Sequence, residues 1–95
     1  MDFQEFKSSL SAPSPPSNIS EALHALWFDG KGNWEMAHTI AQEIHSETGS
    51  WIHAYLHRKE GDLGNASYWY SRAGKPVAKN SLQEEWEQII KNLLN

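Results

Sequence analysis

Apolar side chains along this chain recur at intervals of three and four, and no stretch shows the alternation of a strand. Phe3, Phe6 and Leu10 open the pattern and predict one or two turns of amphipathic helix, too short to stand without a surface to lie on. Residues 8 to 18 then hold all but one of the prolines, a composition that favours extended backbone. Ile19, Leu23, Leu26 and Trp27 form one face of a first long helix. Asn18 with Glu21 three places on supplies its capping-box start, and Asp29-Gly30-Lys31-Gly32 its stop. A second helix is expected from Asn33, burying Trp34, Ala37, Ile40, Ala41 and Ile44 until Thr48-Gly49 breaks it. Ser50 opens a third through Trp51, Ile52, Tyr55 and Leu56 to Gly61, and a fourth runs from Leu63 to Ala73, closed by Gly74 and Pro76. Ser81 with Glu84 makes a second capping box before the most amphipathic stripe, Leu82, Trp86, Ile89, Ile90 and Leu93. The expected class is all-α, with an N-terminal segment and Pro/Ser-rich linker or strap over residues 1–18 and a helical-repeat domain over residues 19–95.

Sliding the chain on itself by twenty-nine places sets Leu23-His24-Ala25-Leu26 on Ile52-His53-Ala54-Tyr55, Gly32-Asn33-Trp34 on Gly61-Asp62-Leu63, and Ala37 on Ala66. A repeat of helix, short turn, helix is the mark of an α-solenoid, in which each pair buries its apolar face on the next. Small residues at Ala25 and Ala54, each twelve places before Ala37 and Ala66, and the run Asn65-Ala66-Ser67-Tyr68-Trp69-Tyr70-Ser71-Arg72-Ala73-Gly74, resemble the tetratricopeptide class. That resemblance implies a short tetratricopeptide-like α-solenoid of two helical hairpins plus a C-terminal capping helix, with a period below the about 34 residues of that class. More narrowly, His53-Ala54-Tyr55-Leu56-His57-Arg58-Lys59-Glu60-Gly61-Asp62, continuing to Tyr68-Trp69-Tyr70 and Ala73-Gly74, resembles a signature of a family of small microbial proteins. This second resemblance spans residues 22 to 86 and implies no particular reaction.

Composition narrows the partners. At 95 residues there is room for one domain, and five Trp, three Tyr and three Phe must carry its core. The absence of Cys excludes a disulfide framework, a thiolate metal site and a cysteine nucleophile, and it fits a reducing interior. No apolar run reaches the length of a membrane span, and no charged-then-apolar leader pattern opens the sequence, so a cytoplasmic protein without a membrane partner is expected. A net charge of −4 argues against a nucleic-acid partner, which would need a basic face.

Candidate chemistry concentrates on the third helix. His53, His57 and Glu60 share one flank, beside the buried stripe rather than in it, and His-x-x-x-His with a carboxylate one turn on is a spacing that a divalent metal uses. The equivalent His24 occupies the same flank of the first helix, so ligands are placed to meet between the two. The plainer alternative is that these are seam side chains bonded to backbone or to Glu60. His38 and His45 share a flank of the second helix and are expected on a solvated face. Arg58, Arg72, Tyr68, Trp69 and Tyr70 crowd a short stretch, where a guanidinium beside aromatic faces either packs or binds an anionic or planar ligand. The repeat position of Trp69 puts it in the core. Arg58 points away from the histidine flank and has Asp62 four places on as a local ion-pair partner.

The repeat leads to the first expectation, a non-enzymatic module whose groove, lined by His24, His53, His57, Glu60, Arg58, Arg72 and Tyr68, holds a peptide, a partner protein or the chain's own strap. That role requires no cofactor and no catalytic residue. The alternative, from a different class, is a metal- or small-ligand-binding protein, extending to a metal-dependent enzyme, that places a divalent ion on His53, His57 and Glu60. A third possibility is a structural subunit, monomeric or paired as a homodimer through Trp86, Ile89, Ile90 and Leu93.

Overall fold

A computed structural model describes residues 1–94, which fold into six α-helices and, among the described residues, no strand. They are α1 (Phe3–Ser8), followed by a 3-10 turn at Ser9–Ser11, α2 (Glu21–Gly30), α3 (Trp34–Ala41), α4 (Glu47–Glu60), α5 (Leu63–Ala73) and α6 (Leu82–Leu94). α2 packs against α3 and α4 against α5 as two hairpins, α3 joins the pairs by packing on α4, and α6 lies across α2 and α4.

The turns of the two hairpins are built alike. Gly32 and Gly61 both take left-handed backbone, at φ 84° and 88°, a conformation that side chains resist. The following residue then donates its N–H back five places, Asn33 to Phe28 O and Asp62 to His57 O, each at 2.9 Å. The same residue caps the next helix: Asn33 Oδ1 accepts from Met36 N at 3.1 Å and Asp62 Oδ1 from Asn65 N at 3.2 Å. The repeat seen in sequence is thus also a repeat of backbone geometry at these two turns.

Three expected boundaries differ. α2 starts at Ser20, whose Oγ accepts from Leu23 N, and not at Asn18, which turns the strap with a left-handed φ of 64°. α3 stops at Ala41, where Glu43 N and Ile44 N bond three places back to Ile40 O and Ala41 O. α4 then begins at Ser46, whose Oγ caps Gly49 N, so Thr48-Gly49 lies inside the first turn of α4 and not at the end of its predecessor. Gly49 serves close approach here: a Cβ would collide with the Ile44 carbonyl oxygen.

One core runs through the whole described chain, because the N-terminal segment is part of it. Phe6 is fully buried, and Phe3 and Phe6 pack on Trp86 with ring centroids 5.9 and 6.2 Å apart. Trp27 Nε1 donates to Ser9 Oγ, and Lys31 Nζ ties down the carbonyls of Leu10 and Ala12. The strap therefore lies on the end of α2 and on α6, not in a groove of histidines. Trp86, whose Nε1 donates to Leu26 O at 3.0 Å, is buried with Ile89 and Ile90 in this same core. The face proposed for a second copy is in this way mostly covered by α1, α2 and α4.

Two buried carboxylates brace the helices. Glu85 accepts from Trp51 Nε1 at 3.1 Å, from the Tyr70 hydroxyl at 2.7 Å and from Arg58 Nη1 at 2.8 Å. Asp29 accepts from the Tyr55 hydroxyl at 2.6 Å and from Lys59 Nζ at 2.8 Å. Burial first, and the adjoining carboxylate next, push the Tyr55 hydroxyl well above the ordinary phenol range, so it stays a donor. Tyr70 is raised in the same way by burial and by Glu85.

Candidate metal centre

α4 packs between α3 and α5 at one seam, and small residues of all three helices, Ala37 and Ala41 on α3, Ala54 on α4 and Ala66 on α5, are buried. Into that seam α4 sends His53 and His57, one turn apart, and α3 sends His38. One nitrogen from each of the three lies within 4.8 Å of the others. His53 is 7% and His57 8% exposed, which corrects their expected place on an open groove. α3 and α5 close over the flank that a single-helix projection leaves free.

The rings are positioned from all sides. His53 is stacked between Trp69, at 4.1 Å, and His57, at 4.8 Å. His38 stacks on Trp34 at 4.9 Å, and Trp34 is itself fixed by donating Nε1–H to Leu56 O. His38 Nε2 and His53 Nε2 are 2.9 Å apart and share one proton. His57 Nδ1 is 2.7 Å from Glu60 Oε1. A carboxylate only accepts, so this nitrogen carries a proton and donates it to Glu60.

Two of the three imidazoles are held back from protonation. Burial, then the neighbouring His38 and His57, lower His53 to about 4. His38 is lowered as well, by burial first and by His57 next, with Glu60 acting in the opposite direction. Neutral imidazoles are the form that binds metal. Three imidazoles with a carboxylate behind one of them make the arrangement that in zinc sites leaves a fourth position open. Tetrahedral ligation at about 2.1 Å sets nitrogens about 3.4 Å apart, so an ion entering here breaks the His38–His53 hydrogen bond and moves those rings by about half an ångström.

The other predicted site residues go elsewhere. His24 is a quarter exposed on α2 and faces Glu21 at 3.7 Å, away from the trio. Glu60 stands behind His57 rather than beside the other ligands. A second grouping of His57, Glu60 and Asp62 exists, but both Asp62 oxygens are occupied by Asn65, which holds that carboxyl below its usual range. Arg58 ignores Asp62 and bonds to Glu85 and to the Asn80 carbonyl. Tyr68 is exposed, Trp69 is half-buried rather than in the core, and the Arg72 guanidinium sits over both rings at 5.8 and 5.5 Å. His45 stays exposed, as expected; His38, its companion, does not.

His38 is the member of this cluster that sequence reasoning placed on a solvated face. Trp34, His38 and Ala41 fall at i, i+4 and i+7, the spacing of a helix face, so the signal was present in the α3 stripe. Compared with protein-family models, with curated proteins and with solved structures, the chain finds no match in any of the three.

Proposed function

We propose that this chain is a metal-binding helical protein that holds one late first-row divalent ion, Zn²⁺ foremost, on His38, His53 and His57, with Glu60 orienting His57. The observation that carries this is the convergence of three imidazole nitrogens from two helices within 4.8 Å. An all-imidazole donor set suits Zn²⁺, Ni²⁺ or Cu²⁺ and disfavours the oxygen-seeking Ca²⁺ and Mg²⁺. The test is titration of chelator-treated protein with Co²⁺ and Zn²⁺, following visible absorption for cobalt and calorimetry for zinc. One ion per chain is expected, lost in His38→Ala and kept in His24→Ala. Binding that survives His38→Ala, or no binding at all, overturns the assignment.

A second role is favoured by a separate observation, the identical hydrogen bonding of the turns at Gly32-Asn33 and Gly61-Asp62. It supports two hairpins of one tetratricopeptide-like repeat, capped by α6, acting as a module for a peptide or partner protein. With His53 and His57 buried and Arg58 engaged, the predicted groove residues left to meet a partner are chiefly Tyr68 and Arg72 on α5 and part of His24 on α2. A photocrosslinking residue at position 68 checks this: a defined partner trapped there and lost on Arg72→Gln supports the module, and crosslinking insensitive to that change counts against it.

A further inference from the structure

We infer that the cleft beside His53 binds a small carboxylate, which accepts a hydrogen bond from His53 Nδ1–H, pairs with Arg72 and so strengthens metal binding at the three histidines. The inference rests on the metal assignment above and deepens it. A histidine that ligates a metal through one nitrogen donates its other N–H to a carboxylate, a carbonyl or water, which fixes the ring and raises its basicity. His57 has Glu60 in that place. His53 turns Nε2 to His38, and its Nδ1 has no hydrogen-bond partner among the described residues.

That nitrogen is not sealed off. Among the described residues every side-chain nitrogen or oxygen fully shut from solvent has a hydrogen-bond partner, so the unpartnered Nδ1 of His53 reaches solvent although its ring is buried. His53 also lines a cleft of about 390 Å³ between the α3–α4 turn and α5, together with Ser46, Ser50, Trp69 and Arg72. The volume is near the lower end of small-molecule sites.

The cleft also supplies the countercharge. Arg72 has no carboxylate within 4 Å among the described residues; its single side-chain hydrogen bond is to the Tyr68 hydroxyl at 3.3 Å. The Trp69 ring has this guanidinium 5.5 Å from its centroid and His53 stacked on it at 4.1 Å, so one indole borders both the cation and the N–H donor. Glu47, the one carboxylate bordering the cleft, has its Oε2 beside Gly74, on the neighbouring surface. With one guanidinium and one acidic residue at the rim, a monoanion fits better than a multiply charged phosphate. An anion that favours the metal-bound state must be favoured by the metal to the same degree.

The test uses the full chain. Zn²⁺ affinity is measured against a competing chelator in chloride and in acetate at equal ionic strength, and acetate is separately titrated into metal-free protein while side-chain and backbone ¹H–¹⁵N signals are followed. The expected result is a rise in Zn²⁺ affinity of about tenfold in acetate, in the range seen for partners behind metal ligands, with saturable shifts centred on Arg72 and His53. In Arg72→Gln the acetate-to-chloride affinity ratio falls to one and the shifts vanish. The proposal is overturned if acetate changes neither quantity, if Arg72→Gln keeps the effect, if phosphate produces it and acetate does not, or if Glu47→Gln lowers Zn²⁺ affinity in chloride, since the chain would then provide its own acceptor. Zn²⁺ that binds in neither medium overturns the metal assignment instead, and the acetate shifts then decide alone whether the cleft takes the anion.

Discussion

Acid should weaken the metal-free fold through His53, and the size of the effect follows from its surroundings. In the unfolded chain this imidazole takes its proton near pH 6.5; in the folded chain, stacked between Trp69 and His57 and faced by His38, it does so only near pH 4. Above pH 6.5 both states are neutral and the group has no effect on stability. As pH falls below 6.5 the unfolded state gains a proton that the folded state refuses, so stability drops with falling pH and levels off only below about 4. At about 1.4 kcal/mol per pH unit, the full loss is about 3.5 kcal/mol, about 3 kcal/mol of it by pH 4, a large part of the 5–15 kcal/mol typical of a small domain. The lowered His38 works in the same direction. The assay is urea unfolding by circular dichroism between pH 7.5 and 4, with chelator present, on wild type and His53→Asn. Carboxylates common to both chains cancel in the difference. The stability advantage of wild type over the variant should shrink by about 3 kcal/mol on acidification. Parallel pH profiles for the two chains would refute the placement of His53 in a water-poor cluster.

Other consequences can be measured on the same protein. Zn²⁺ at one hundred times its dissociation constant should raise unfolding free energy by about 2.7 kcal/mol, in wild type and not in His38→Ala, as read by thermal melts. Glu85→Ala removes the acceptor shared by Trp51, Tyr70 and Arg58 and should cost about 3–5 kcal/mol; a loss below about 1 kcal/mol in urea unfolding would contradict the buried network. Gly49→Ala drives a methyl group into the Ile44 carbonyl and should cost about 2 kcal/mol or more in the same assay. Deleting residues 1–12 uncovers Trp86 and forfeits the burial of Phe3 and Phe6, a loss of about 4 kcal/mol; unchanged stability would mean that α1 does not dock.

Local chemistry made most of the fold legible. The glycines at 32, 61 and 74 all carry positive φ where the sequence ends a helix, and Ser81 and Glu84 form both bonds of their capping box. Where reading failed, a contact distant in sequence had decided the matter. Gly49 looks like a helix breaker until Ile44 is seen pressed against it, and then its missing side chain is what lets α4 start three residues earlier. Asp29 looks like part of a helix stop, yet its carboxylate is buried by Tyr55 and Lys59 from α4. Nothing within the amphipathic period of α6 marks Glu85 as the one acidic residue there that faces inward to Arg58 and Tyr70.

The histidine centre divides along the same line. The i, i+4 pairing of His53 and His57 and the position of Glu60 were visible because they belong to one helix. Their burial and their partner were not, because these depend on how closely α3 approaches α4. Ala37, Ala41 and Ala54, whose small size was read only as repeat pattern, are all buried in these two helices. Close helices leave a shallow seam, and leucines would fill it without any pH-dependent loss of stability. Imidazoles there weaken the metal-free fold in acid by the amount worked out above, with no compensating ion pair for His53. A site that is costly without a ligand and repaired by one is what a metal centre in a small helical domain requires: the ion that His38, His53 and His57 would share is also the cross-link that holds α3 onto α4.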